Sequence, residues 1–373
     1  MKVETIITKD DRERYILVDD NGEVVVPVIR FLKFKDNAGK ARNTLRAYCY
    51  HLSSFFTFLE QKNISYEEVG IEDIAAFMRW LQTIEKNDRI INITGAQRKI
   101  SNTTINTYVS TVTEFYDFLI RSEGANGSVS DNLKKTIKGS QRGYKDFLYH
   151  LNKDKDYNAK YLKLREEKKE KIPLTKEQVT ELINACSNKR DKFLLKLLWE
   201  TGFRIGEALA LWLEDFVIDA RKIDLKDRGE LQNNAEIKTI TSPRKVDVSA
   251  ELINDYFDYI ADYHTDEIDT NFVFFKLSGG NRGEPMEYAD VDSLFKRLRK
   301  KTDIYVTPHL FRHSHFDLLR RNGWSFEQIQ KRGGWANVQT PMQTYSHPQM
   351  EEIRESWEQT EKHFTTKGKE DKT

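Results

Sequence analysis

Thr307-Pro308-His309-Leu310-Phe311-Arg312-His313 reads as the start of a helix. Thr307 is a side-chain cap, Pro308 suits the first turn where a missing N–H costs nothing, and the pattern carries on to about Arg321. On that helix His309 and Arg312 stand at i and i+3, on one face near the N-terminus. A guanidinium that forks onto two oxygens, an imidazole and free backbone N–H groups together suit a phosphate. A surface arginine beside a satisfied histidine would leave the same residues, so this stretch alone does not decide. His309, His313 and His315 also invite a metal reading, but their spacing matches no standard zinc motif and no carboxylate accompanies them.

Working outward, three other stretches carry chemistry-bearing residues. In Thr201-Gly202-Phe203-Arg204-Ile205-Gly206-Glu207 a basic residue sits where a new helix begins, between glycines that allow close backbone approach. Lys238 lies in Ile237-Lys238-Thr239, ahead of Pro243-Arg244-Lys245-Val246. A lysine on a hairpin arm reaches into a groove and serves as an acid when desolvated, although most hairpin lysines only keep strand edges apart. Gly333-Gly334-Trp335 is followed by Thr344-Tyr345-Ser346-His347. Tyrosine can be a covalent nucleophile, yet a tyrosine or tryptophan near a short helix is more often packing.

The rest of the chain divides by pattern. In residues 1–35, Arg14 to Val18 and Glu23 to Val28 flank Asp19-Asp20-Asn21-Gly22, which predicts a hairpin. From Gly39 to about Arg121 the period is helical, with Leu45, Tyr48, Leu52, Phe55, Phe56 and Leu59 on one face behind the cap candidates Asn43 and Thr44. Ile74, Phe77, Met78 and Leu81 repeat the pattern, as do Ile105 to Leu119 behind the cap candidates Asn102 and Thr103. Residues 121–171 are polar and then densely charged, with 14 Lys/Arg against 8 Asp/Glu; they read as a solvated linker or as a basic strap along a polyanion. Thr175, with Glu177 and Gln178 behind it, opens a second globular unit. Between Phe216 and Val248 the period shifts towards two, predicting a small antiparallel sheet of Lys222–Leu225, Glu236–Ile240 and Lys245–Val248. Helices return around Val291 and continue to the end.

Composition narrows the class without naming it. A chain of 373 residues that is 38% hydrophobic suits two or three domains with real cores. Apolar runs stop at four or five residues, far short of the roughly 20 that a membrane span needs, so no membrane partner is expected. Cys49 and Cys186 offer no metal spacing or disulfide framework, which fits a cytoplasmic location. Sixty basic residues against 59 acidic ones give +1, so any polyanion must be met by local charge. Residues 296–332 hold ten Lys/Arg against three Asp/Glu.

Taken in order, Arg204, Lys238, His309, Arg312, Trp335 and Tyr345 resemble the catalytic set of the tyrosine recombinases, the phage-integrase family. The matching text is TGFRIGEALAL, IKTITSPRKVDVS, HLFRHSHFDLL and GGW…TYSH, and the resemblance covers about residues 40–350. The layout looks most like a transposon-encoded integrase or transposase A. Trp335 stands where the family usually has His, as it does in some members. The resemblance implies a mainly α fold with a small antiparallel β-sheet, arranged as a two-domain C-shaped DNA clamp. It divides the chain into a β-hairpin extension (1–38), a helical core-binding domain (39–121), a basic linker (122–171), a catalytic domain (172–350) and a C-terminal helix with a charged tail (351–373).

The resemblance also implies a mechanism. Arg204 and Arg312 clamp the non-bridging oxygens of a scissile phosphate, Tyr345 becomes joined to the 3′-phosphate, Lys238 protonates the departing 5′-oxygen, His309 assists, and Trp335 packs or donates its indole N–H. The phosphotyrosine conserves bond energy, so no cofactor is expected. The implied partners are double-stranded DNA recombination sites, a synaptic tetramer of this chain, and sister recombinases or accessory proteins. Two other classes use related parts: a type IB topoisomerase, which relaxes DNA without synapsis, and a catalytically silent DNA-binding regulator.

Overall fold

The computed structural model describes residues 1–10, 12–83, 100–122, 163–166, 172–237, 239–345, 354 and 357–358. They form two compact units, residues 1–169 and 170–373. Among them no helix is long and apolar enough to cross a membrane.

In the first unit, β1 (Lys2–Ile7) and β2 (Glu13–Val18) pair antiparallel, from Lys2 opposite Val18 to Ile7 opposite Glu13. The expected hairpin partner, Glu23 to Val28, is not a strand. The turn at Asn21-Gly22 forms, with Asp19 Oδ1 accepting from the Asn21 and Glu23 N–H groups at 2.9 and 2.8 Å. Pairing then stops at a single Val18–Val24 bridge, and the chain enters α1 (Val26–Asn37). Pro27, in the first turn of that helix, is the reason: it has no N–H for a ladder but suits a helix start.

Helices α2 (Arg42–Lys62), α3 (Ile71–Thr83) and α4 (Asn102–Ser122) complete the unit. The apolar stripes named above line its core, where Leu52, Phe55, Phe77 and Phe115 are wholly buried. Tyr15, Leu17, Val28 and Phe31 join the same core, so the first 38 residues pack as part of this unit. Two caps differ from expectation. Ala41 precedes α2 with no side-chain cap, and at α4 the bond comes one residue earlier than Asn102, Ser101 Oγ accepting the Thr104 N–H at 3.2 Å. The basic strap lies mostly outside the described residues. Its residues 163–166 lie along α4, where the Asn106 amide bonds both backbone groups of Leu164, at 2.8 and 2.9 Å.

The second unit holds α5 (Lys176–Ala185), α6 (Lys189–Thr201) and the short α7 (Ile205–Leu209). A 3₁₀ turn (Leu213–Asp215) leads to the sheet β3 (Phe216–Val217), β4 (Lys222–Leu225) and β5 (Arg244–Asp247), antiparallel in that order. The described residues of 236–240 form no strand; the third strand is β5, and the residues ahead of it make a turn closed by the Ser242 N–H on the Thr239 carbonyl. After α8 (Ala250–Tyr263) come α9 (Tyr288–Thr302), α10 (Pro308–Arg321), α11 (Phe326–Gly333) and α12 (Gln339–Tyr345). Thr175 and Gln178 cap α5 reciprocally, and Thr307 accepts the Leu310 N–H at 3.2 Å to start α10 with Pro308 in its first turn. Phe193, Leu194, Phe274, Phe295 and Phe311 fill the core between them.

Candidate active site

Arg204 stands at the N-cap of α7, half-buried, where the chain turns out of α6 through Gly202. Its backbone N–H donates to Glu207 Oε2 at 2.9 Å and its Nη1 to Oε1 at 2.7 Å. Glu207 is fully buried and also accepts both terminal nitrogens of Arg244, at 3.2 and 3.0 Å, with Arg312 Nη1 at 3.8 Å. Burial alone would raise this carboxyl, but Arg244, Arg312 and Arg204 outweigh it and hold Glu207 below its ordinary value. A buried carboxylate ringed by three guanidinium groups leaves the locus positive, as a phosphate requires.

Arg312 lies one turn into α10 and is 2% exposed. It links two chain reversals: Nη1 donates to the Gly202 carbonyl at 2.6 Å and Nη2 to the Gly333 carbonyl at 2.7 Å. Its guanidinium lies 4.5 Å from the Trp335 ring centre and 4.9 Å from that of Phe316. Desolvation, reinforced by the nearby charge of Arg204, brings it down to about 9, so it stays charged at neutral pH.

Tyr345 ends α12 and is 6% exposed. Its ring stacks on His313 at 5.2 Å and meets Trp335 edge-on at 6.3 Å. Burial pushes its phenol up to about 12, opposed by Arg312 and Arg204 and reinforced by Asp317. At rest the hydroxyl is therefore protonated, within the electrostatic reach of both arginines. Pro341 falls in the first turn of α12, where its missing N–H removes no helix bond.

The structure thus brings Arg204, Arg312, Trp335 and Tyr345 into one cluster. His309 is exposed at the start of α10, three residues ahead of Arg312. Lys238 lies outside the described residues. His315 is taken out of the metal reading by its own bonds. Its Nδ1 meets the Trp199 carbonyl at 2.9 Å and must donate, while Nε2 faces Arg332 Nε at 3.2 Å and must accept. Both ring nitrogens are engaged, and burial with the Arg332 charge lowers its pKa to about 3.

Sequence reading passed over Glu207, Arg244 and the ring contact of His313. The i,i+3 spacing of Arg204 and Glu207 at a helix start was a signal for the first. Arg244 comes from a strand 37 residues away, and nothing local marks it.

Two family models match: the phage integrase family over residues 173–352 and the phage integrase N-terminal SAM-like domain over residues 29–123. Together with the site this fixes the class, and the chain belongs to the phage integrase family, the tyrosine recombinases, enzymes that break and rejoin DNA strands. It is 38% identical over 348 residues to transposase A from transposon Tn554 of Staphylococcus aureus, covering 93% of this chain and 94% of that one. Tyrosine recombinase XerD of Staphylococcus saprophyticus is 24% identical, covering 90% and 97%. Among solved structures, the Tn1549 transposon integrase in complex with a circular-intermediate DNA shares the fold at a TM-score of 0.61 and 19% identity, covering 89% of this chain and 99% of that one. The XerH recombinase bound to a palindromic difH substrate does so at 0.56 and 14%, covering 87% and 81%.

Proposed function

We propose that this chain recombines DNA at specific sites to move a genetic element, through a 3′-phosphotyrosine on Tyr345. The observation that carries this reading is the convergence of Arg204, Arg312 and Tyr345 on one positive locus around Glu207. Likeness to transposase A of Tn554 over nearly the whole chain favours transposition among recombination reactions.

The chemistry follows from the charges. The Tyr345 oxygen attacks phosphorus, forming an O–P bond and breaking the bond to the 5′-oxygen. Negative charge grows on the two non-bridging oxygens, and Arg204 and Arg312 supply N–H donors and positive charge there. The phenol arrives protonated and passes its proton to solvent as it attacks, a loss that the same two positive charges favour. Lys238 is assigned the proton for the leaving 5′-oxygen, and His309 assists from the start of α10. Trp335 packs on Arg312 and holds its plane. A 5′-hydroxyl from a partner strand reverses the step and rejoins the DNA. The duplex is met through local charge, residues 296–332 among it. Four copies of the chain assemble at synapsis, with the segment after Tyr345 reaching a neighbour.

The test uses the full chain on nicked duplexes carrying the element's ends. A covalent adduct on the 3′-phosphate, and strand exchange only when two sites are present, support the reading. Relaxation of a supercoiled plasmid lacking those sites would replace it with the topoisomerase reading, and the absence of any adduct would leave the silent regulator.

A further inference from the structure

The guanidinium of Arg244, at the start of β5, bonds three segments that each carry or adjoin a reacting group. Its two terminal nitrogens fork onto the buried Glu207, which holds Arg204. Nη1 also donates to the Ser242 carbonyl at 2.6 Å, in the turn that follows Lys238. Nε donates to the Arg332 carbonyl at 2.6 Å, at the end of α11 just ahead of Trp335. The next carbonyl along, Gly333, takes Arg312 Nη2. Helix-end carbonyls lack intrahelical donors and carry the negative end of the dipole, so two arginines share one helix terminus. Behind Arg244 the face of Phe203 lies 5.3 Å away, and a Cβ on Gly334 would come within 2.8 Å of Nη1. The Nε of Arg244, both hydrogens of Nη1 and one of Nη2 are spent on these protein acceptors, so the side chain is placed to hold the site together and not to grip the phosphate.

We propose that Arg244 is a positioning residue for strand cleavage, keeping Arg204 available to the phosphate by occupying Glu207. The inference rests on the reading of Arg204 and Arg312 as the phosphate clamp. A carboxylate accepts through two oxygens, and a bidentate arginine fills the outward lone pairs of both. With Arg244 in place, Arg204 spends Nη1 on Glu207 and aims the rest of its fork elsewhere. Without it, Glu207 retains one full charge in a dry pocket and draws Arg204 into the fork. Arg204 is then withdrawn from the phosphate while the protein still binds DNA. Lysine keeps the charge but offers no planar fork, so Arg244→Lys separates charge from geometry.

The experiment is single-turnover cleavage of a nicked duplex by the full chain, comparing wild type, Arg244→Lys, Arg204→Lys and the double variant. Rates are read about 10 °C below the lowest melting midpoint, so that a destabilised variant still reports. Arg244→Lys is expected to bind the duplex within about twofold of wild type and to cleave about 10²-fold more slowly, the order of loss that a misplaced group produces. The double variant should cleave no more slowly than Arg204→Lys alone, within about threefold, because both changes remove the same contact. Wild-type cleavage by Arg244→Lys, or a double variant showing the product of the two single losses, would overturn the inference while leaving the clamp intact. Absence of an adduct with wild type, or equal cleavage by Arg204→Lys and wild type, would overturn the clamp itself.

Discussion

Arg204 reaches Glu207 twice, through its backbone N–H at 2.9 Å and through Nη1 at 2.7 Å. The first bond starts α7 and the second aims the guanidinium, so one carboxylate fixes both the turn of the chain and the direction of its charge. Glu207 is ionised because the arginines around it outweigh the cost of burial. The site is assembled from the start of α7, the start of β5 and the first turns of α10, whose arginines all reach that one side chain.

The two clamp arginines should fail differently. Arg204→Ala is expected to lose about 10²-fold or more in cleavage, the order seen for one lost oxyanion donor, with a smaller stability loss than Arg312→Ala, because both Glu207 oxygens keep their Arg244 bonds. Arg312→Ala should lose as much activity and also cost about 1–3 kcal/mol, since it strands the buried carbonyls of Gly202 and Gly333. Single-turnover rates and urea unfolding of both variants decide it. Equal stability losses would contradict the assignment.

Gly202 is held at a φ of +64°, and a Cβ there would come within 2.5 Å of the buried His315 ring. Gly202→Ala therefore combines left-handed strain with a clash against a side chain bonded at both nitrogens. We expect a loss of roughly 1–3 kcal/mol from the backbone alone, with further loss from the overlap. A variant unfolding at the wild-type urea concentration would show that this turn is not constrained as described.

His315 gives the second unit a defined acid sensitivity. Its folded pKa of about 3 lies below the unfolded value near 6.5, so the unfolded state binds the extra proton between those limits. Its contribution is fully present above about pH 6.5 and falls with pH by up to about 1.4 kcal/mol per unit towards pH 3. His51, lowered to about 4 by burial, acts in the same direction on the first unit. His315→Asn should be less stable than wild type at pH 7, with the gap shrinking by about 2 kcal/mol at pH 5. Parallel stability curves for the two proteins would refute this.

Much of this was readable because it is local. A capping threonine, a proline and a 3.6-residue stripe fix α10 within the residues that form it, and α2 and α4 announce their buried faces in the same way. What escaped depends on distant partners or on competing local signals. Val24, Val26 and Val28 alternate as a strand would, and only Pro27 betrays the helix that forms. Glu236–Ile240 alternates too, but the strand beside β4 is β5. Arg244 and Glu207 look like ordinary surface charges until the fold joins residues 37 apart. His313 follows Arg312 without any sign that its ring will lie on Tyr345.

The basic strap offers a test from sequence alone. If Lys134, Lys135 and Lys138 each meet a phosphate, neutralising all three should flatten the log–log salt dependence of DNA binding by up to about 3. Filter binding from low to moderate salt measures the slope, and an unchanged slope would make the segment a solvated linker.

Tyr345→Phe removes one oxygen from a ring packed between His313 and Trp335, so the fold and DNA binding should survive. Cleavage should vanish, because no other described tyrosine shares that cluster; Tyr305 is 74% exposed in the loop ahead of α10 and should not substitute. Wild-type cleavage should be unaffected by EDTA, since the arginines supply the charge stabilisation. It should increase with pH beyond neutrality, because the phenol is held near 12 and ionised enzyme remains scarce below that. Lys238→Ala should recover on a 5′-bridging phosphorothiolate, whose thiolate leaves without a proton. Peptide mapping of the adduct trapped on a nicked duplex is the deciding measurement. A DNA-linked peptide lacking Tyr345, or cleavage that survives Tyr345→Phe, would remove the nucleophile from this position and with it the role of the two arginines beside it.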